Sequence, residues 1–276
     1  MRKAVCFFTA ISFVLTSLFC EAQVLQFSNG ARSAAMGNIR SVLIDEYAIF
    51  NNQAASVFNK VGSVTASTMR KFMMSDLHYS SIGASIPFQE NNCIGLVASY
   101  NGFDLYNQTK AALNYARLIT DKISIGAQFD YLSRNILEYG THQTVTFELG
   151  AIAQLNSQLT FGAHVFNPIR ASSGYYAEAK YPSYLTLGLA YQPTKSFLIC
   201  AETENDYFKS NMFRIGFEYM PVQSIFIRGG VNNNELSFGL GLKFKSLQFD
   251  LCSAYHQYLG ISPSGSLVYV FKQSQP

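Results

Sequence analysis

Leu236-Ser237-Phe238-Gly239-Leu240-Gly241-Leu242-Lys243-Phe244 puts a large apolar side chain at every second position and a small or polar one between. A period of two belongs to a β-strand, whose successive side chains point to opposite faces. One face of this strand is leucine and phenylalanine, and the other is serine, glycine and lysine. Ile123-Ser124-Ile125-Gly126-Ala127-Gln128-Phe129-Asp130-Tyr131 repeats the pattern. Alternating segments of roughly 10 residues with an apolar outer face are the mark of strands that cross a membrane in a closed barrel.

Outward from these two, the same alternation runs from Gly62 to Phe271. About 14 such segments can be counted, beginning near residues 62, 76, 92, 107, 122, 143, 157, 183, 195, 210, 222, 234, 246 and 263. Short connections such as Gln89-Glu90-Asn91, Thr120-Asp121 and Lys245-Ser246 alternate with longer ones at 134–143, 168–182, 204–211 and 256–264. Outer-membrane barrels sort their connections in this way, with short turns at the periplasm and longer loops outside. An even strand number then places both ends of the barrel in the periplasm. A β-sandwich also alternates, but it does not sort its loops by side, and its exposed faces carry more charge.

Composition agrees. Charged residues make up 13% of the chain, where a water-soluble domain carries about 25%. After the first 22 residues no apolar run is long enough for a spanning helix, which needs about 20 residues. A closed barrel is then the remaining way to satisfy every backbone group in lipid. The leader itself reads as an export signal over residues 1–22. Arg2 and Lys3 precede an apolar run from Ala4 to Phe19, and Cys20-Glu21-Ala22 ends on a small residue before Gln23. The expected location is the outer membrane of a Gram-negative bacterium.

There is no tryptophan, so the interface girdle falls to tyrosine and phenylalanine. Tyr100, Tyr115, Tyr131, Tyr191, Tyr219 and Tyr269 all have outward parity. With 20 Lys+Arg against 17 Asp+Glu and no basic run, nothing points to a nucleic-acid partner. Cys93, Cys200 and Cys252 follow the leader at spacings that match neither a disulfide framework nor a metal site. His78, His142, His164 and His256 are scattered, and no nucleophile elbow or phosphate-cradling loop is present. No catalytic residue, cofactor or metal is expected.

Charge decides which face is the lumen, because an Arg facing mid-bilayer lipid costs roughly 2–4 kcal/mol. Parity turns Asp130, Glu148, Glu202, Arg214, Glu218, Arg228, Lys243 and Asp250 inward. A turn near Pro221 would set Arg214 opposite Arg228, and one near Phe208 would set Glu202 opposite Arg214. Two arginines against one carboxylate leave positive charge over. Either an anionic ligand meets it, or Asp45 or Glu46 does so from the segment that precedes the barrel. Inward parity also falls on Gly83, Gly95, Gly126, Gly150, Gly162, Gly188, Gly216, Gly230, Gly239 and Gly241. Strand glycines of this kind mark either a close backbone approach or a bend in the sheet.

Residues 23–60 do not alternate and read as short helical turns. Gly30-Ala31-Arg32-Ser33-Ala34-Ala35-Met36-Gly37, then Asp45-Glu46, then Asn52-Gln53-Ala54 resemble the N-terminal signature of FadL-type barrels, in the PorV/PorQ-like branch of Bacteroidetes. Pro182 to Tyr191, Arg214 to Tyr219 and Ile227-Arg228-Gly229-Gly230 carry a similar likeness. The resemblance implies an all-β fold: a transmembrane antiparallel barrel of 14 strands over 61–276, with residues 23–60 as a plug in its lumen. One departure stands out, for the family reads Asn-Pro-Ala where this chain has Asn52-Gln53-Ala54. Two functions follow from the resemblance. One is passive uptake of small hydrophobic or amphipathic molecules. The other is a non-enzymatic role with secretion-machinery proteins, in type IX secretion or surface attachment.

Overall fold

The computed structural model describes residues 30–174, 180–206 and 211–271; the expected export signal lies outside them. The alternating segments form 14 strands. The first four are β1 (Ser63–Arg70), β2 (His78–Phe88), β3 (Asn92–Phe103) and β4 (Tyr106–Thr120). Next come β5 (Ile123–Ile136), β6 (Gly140–Gln154), β7 (Leu159–Phe166), β8 (Tyr184–Thr194) and β9 (Phe197–Asp206). β10 (Met212–Val222), β11 (Ile225–Asn232), β12 (Glu235–Phe244), β13 (Leu247–His256) and β14 (Gly260–Val270) complete the set. Each pairs antiparallel with its sequence neighbours, and β1 pairs with β14, so the sheet closes into a barrel without edges. Closure removes the unpaired edge that lipid would not tolerate. Among the described residues no helix is long and apolar enough to cross a membrane.

Alternation sorts the wall into two faces. Phe213, Ile215, Phe217 and Tyr219 of β10 point out and are exposed, while Arg214, Gly216 and Glu218 between them are buried. All six girdle tyrosines are exposed on the outer wall. Of the eight charged residues expected inside, seven are buried; Lys243 lies near the end of β12 and is exposed.

Three expectations about connections need correction. The segments expected as loops at 134–143 and 256–264 are mostly strand. β5 and β6 are joined by residues 137–139, and β13 and β14 by residues 257–259. Above the apolar belt these strands turn polar, as in Ser133↔Gln143 and Arg134↔His142, so the ladder continues after the apolar parity has stopped. Likewise β9 runs on to Asp206 through Glu204, which the sequence reading had left in a loop. The 167–183 connection stays long, and we call its end of the barrel the outer end. Asn167 folds it back: its side chain donates to Tyr181 O and Pro182 O and accepts from Ala171 N and Thr146 Oγ1.

Residues 31–58 make contacts around the whole inner wall. A helical turn at Ala31–Ala35 packs on β11–β14, the next stretch reaches β7–β10, and Ala48–Asn51 with the 3-10 turn Gln53–Phe58 packs on β2–β6. The inward glycines face this segment, except Gly241, which faces Asp250 and Arg228. Three pairs lie directly opposite each other across neighbouring strands: Gly126↔Gly150, Gly162↔Gly188 and Gly216↔Gly230. A Cβ at Gly162 would fall on Ser41 O, and one at Gly230 on the Met36–Gly37 peptide. Backbone has come close enough to backbone to exclude any side chain. Gly37 itself takes φ +75 just after the Ala31–Ala35 turn, the left-handed conformation that commonly ends a helix.

Candidate functional site

Charge joins the segment to the wall on the β9–β13 side. Arg32 donates to both carboxylate oxygens of Glu218 (2.8 and 2.7 Å) and to Asp45 (3.1 Å). Glu218 also accepts from Arg228 (2.6 Å), whose other arm reaches Asp250 (2.5 Å). A second chain runs from Arg40 to Glu204 and on to Arg214, which also holds Glu202 (2.7 Å). Glu202 in turn accepts from Arg40 N, Ser41 N and Ser41 Oγ. Bidentate and charge-assisted bonds of this kind are the strong ones.

This arrangement corrects the expected charge balance. Arg214 lies opposite Asn232, not Arg228, because β10 runs on to Val222 and the turn falls at Gln223-Ser224, two residues beyond Pro221. Arg228 lies opposite Glu218. The expected pairing of Glu202 with Arg214 is present. With Glu204 on a strand and Asp250 within reach, each wall arginine has two carboxylates. The wall therefore carries carboxylates in excess, and the segment answers with Arg32 and Arg40. Asp45 touches neither wall arginine; it joins the network through Arg32. Glu46 forms no salt bridge with Arg214 or Arg228 and is half-buried. Burial pushes both carboxyls above their usual range, with Asp45's charge adding to the rise at Glu46 and Arg32 opposing it at Asp45.

The β3–β8 side is built differently. At the outer end a cavity of about 150 Å³ lies between the wall and the segment. Phe50, Val97, Leu132 and Phe166 supply apolar surface, and Tyr181 and Pro182 of the folded-back connection border it. Phe166 stacks on Tyr184 at 5.1 Å, Arg40 lies over the Tyr184 ring and Lys110 over Phe166. Below them Lys110 pairs with Asp130 (3.1 Å) and with Glu148. Glu148 also accepts from His164 (2.9 Å), Gln128 (3.1 Å) and Gln53 (2.6 Å). Gln53, which stands where the sequence resemblance led to an expectation of proline, here supplies a side-chain bond to the wall. Its neighbour Asn52 caps the 3-10 turn through Ala54 N and donates to Ser41 O (2.6 Å).

A second cavity of about 180 Å³ opens at the other end, between Leu198, Glu218, Met220 and Phe226. Met36, Ile39, Val42 and Leu43 form a buried cluster against Ala190, Cys200 and Leu198. Sequence reasoning turned Glu202, Glu218, Arg214, Arg228, Asp130 and Glu148 inward but missed Arg32, Arg40, Lys110 and His164 as their partners. Inward parity marks Lys110 as it does Asp130 and Glu148, and was the available signal.

No family model matches the chain, and no curated protein matches it in sequence. Solved structures do match its fold. The CymD monoaromatic hydrocarbon channel aligns with a TM-score of 0.70 at 13% identity, over 89% of this chain and 98% of that one. The toluene transporter TodX of Pseudomonas putida gives 0.66 at 13%, over 90% and 98%. A FadL homologue of Pseudomonas aeruginosa gives 0.59 at 12%, over 88% and 96%. At such identities the likeness is one of architecture. The chain is an outer-membrane β-barrel with the fold of the FadL-type hydrocarbon channels.

Proposed function

We propose that the protein is a non-enzymatic channel for passive uptake of small hydrophobic or amphipathic molecules, with residues 30–58 acting as its plug. The observation that carries this reading is the pair of cavities at the two ends of the lumen, with the buried Met36–Leu43 cluster of the segment against β8 and β9. A small molecule entering at the outer end meets aromatic and aliphatic surface, which apolar solutes prefer to water. Residues 36–44 lack helical or strand structure apart from turns, so a shift there would join the cavities without melting a regular element. The structural neighbours named for hydrocarbon transport support this reading, and no observation favours a role with secretion proteins. Purified barrel in liposomes should speed equilibration of toluene across the bilayer over protein-free vesicles and should leave a large sugar excluded. Equal toluene rates with and without protein would refute the channel.

A further inference from the structure

The outer cavity has a polar side as well as an apolar one, and the two restrict what it can hold. Its volume, about 150 Å³, is that of an engineered apolar cavity that takes up benzene. Its cations are already engaged. Lys110 faces both Asp130 and Glu148, and Arg40 faces Glu204. One ammonium, Lys110, thus stands against two carboxylates, and Glu148 also pairs with His164.

Hydrogen-bond capacity is unbalanced in the same direction. Asn101 Oδ1, which belongs to the cavity wall, is buried without a donor. Asp130 Oδ2, Gln53 Oε1 and Asn114 Oδ1 beneath it are also buried acceptors without donors among the described residues. The guanidinium nitrogens left over, Arg214 Nε and Arg228 Nη2, lie on the other side of the barrel. Buried acceptors without donors are costly, and a ligand that supplies a donor relieves them. A ligand carboxylate brings only acceptors and a second negative charge into a site of low dielectric.

We propose that this cavity is a selectivity site for compact, single-ring amphipaths whose polar end donates hydrogen bonds, such as an alcohol or an amine, and that it rejects carboxylates. The proposal rests on the channel reading and adds the chemical class of its cargo. The ring lies against Phe166, Leu132 and Val97, and the donor end turns toward Asn101 and the Asp130–Glu148 group.

Benzyl alcohol, benzylamine and benzoate differ mainly at that end and serve as probes. Calorimetric titration of the detergent-solubilised barrel should show the alcohol and the amine binding at least tenfold more tightly than benzoate. Glu148→Gln removes one of the two carboxylates that face Lys110 and should bring benzoate to within about threefold of the alcohol, a narrowing set by the loss of one like-charge repulsion. Asn101→Leu should weaken the alcohol without helping benzoate, and Leu132→Trp should abolish all three by filling the cavity. Benzoate binding as well as the alcohol to the unaltered protein would overturn the proposal, as would unchanged binding in Leu132→Trp. Toluene permeation keeps the two readings apart. If toluene crosses but the probe order is wrong, only the selectivity site falls; if the order holds and toluene does not cross, only the channel falls.

Discussion

Residues 31–58 meet the barrel wall on two sides that are filled in opposite ways. Toward β9–β14 the segment is pressed onto glycines, and its arginines are held by wall carboxylates in two continuous chains. Toward β3–β8 the same segment leaves space at the outer end, lined by rings and by a wall-borne ion cluster. Glycines make room for the segment's backbone on both sides, at Gly230 as at Gly126 and Gly162, but only at the outer end of the second side do bulky side chains stop short of one another. The comparison separates anchoring from reception. The ion pairs of β9–β13 hold the segment, while the cavity of β3–β8 is free to take a small molecule.

The largest expected effect is steric, and the anchoring side offers a clear case. Gly230→Val would place a branched side chain on the Met36–Gly37 peptide, which can yield only if the segment moves. Overpacking costs typically 1–3 kcal/mol and more when backbone must shift, so about 3 kcal/mol or more of stability should be lost. Urea unfolding in detergent, with protease access to the segment, would register it. Gly265→Ala, where an added Cβ meets only ordinary contacts at 3.6 and 4.0 Å, should change little. Equal losses in the two variants would break the distinction between contacted and free glycines.

Charge comes next. Arg32→Met takes from Asp45 its salt-bridge partner and leaves Glu218 with Arg228 alone, and breaking one partner of a buried pair costs about 3 kcal/mol. Lys110→Met should cost less, because its side chain is 21% exposed and solvent in the cavity can take up part of the charge it leaves. Unfolding midpoints of the two variants, measured side by side, rank the anchoring and receiving sides directly. A larger loss at Lys110 would reverse the account.

How these charges were placed shows what a sequence yields. Parity set the number of strands and their faces, Lys243 apart, since one slipped residue would turn Phe213 and Ile215 inward and Arg214 out into lipid; it did not set how far the strands run. It also marked the glycines that the segment touches, because few other residues allow such approach. The sign of the charge surplus was not legible. It depended on the β10–β11 register, which the turn at 223–224 sets, and on Glu204, whose strand runs on beyond the apolar belt. The cavity was out of reach for a further reason. It arises from where the segment and the folded-back 167–183 connection come to rest, and no local pattern encodes that.

The smallest effect is a pH dependence. Burial raises the Glu46 carboxyl in the folded protein, so folding takes up protons between that raised value and the ordinary carboxylate range. A group of this kind destabilises at neutral pH, and the penalty disappears as pH falls. Glu46→Gln should therefore be slightly more stable than the unaltered protein at pH 7, and the gap should close toward pH 4. Thermal unfolding across that range would show it, and a gap that widened on acidification would contradict the burial argument.

The central claim is that passage requires the 36–44 stretch to leave the wall on the anchoring side. Met36→Cys in a background lacking Cys93 and Cys252 places a thiol in the same buried cluster as the native Cys200. A short, reducible thiol–thiol cross-linker can then pin the stretch to β9. Toluene equilibration into liposomes bearing the cross-linked barrel should fall to the protein-free rate and recover when the linker is reduced. Unchanged equilibration with the stretch pinned would show that molecules pass without moving it, and the account of the segment as the moving part would be wrong.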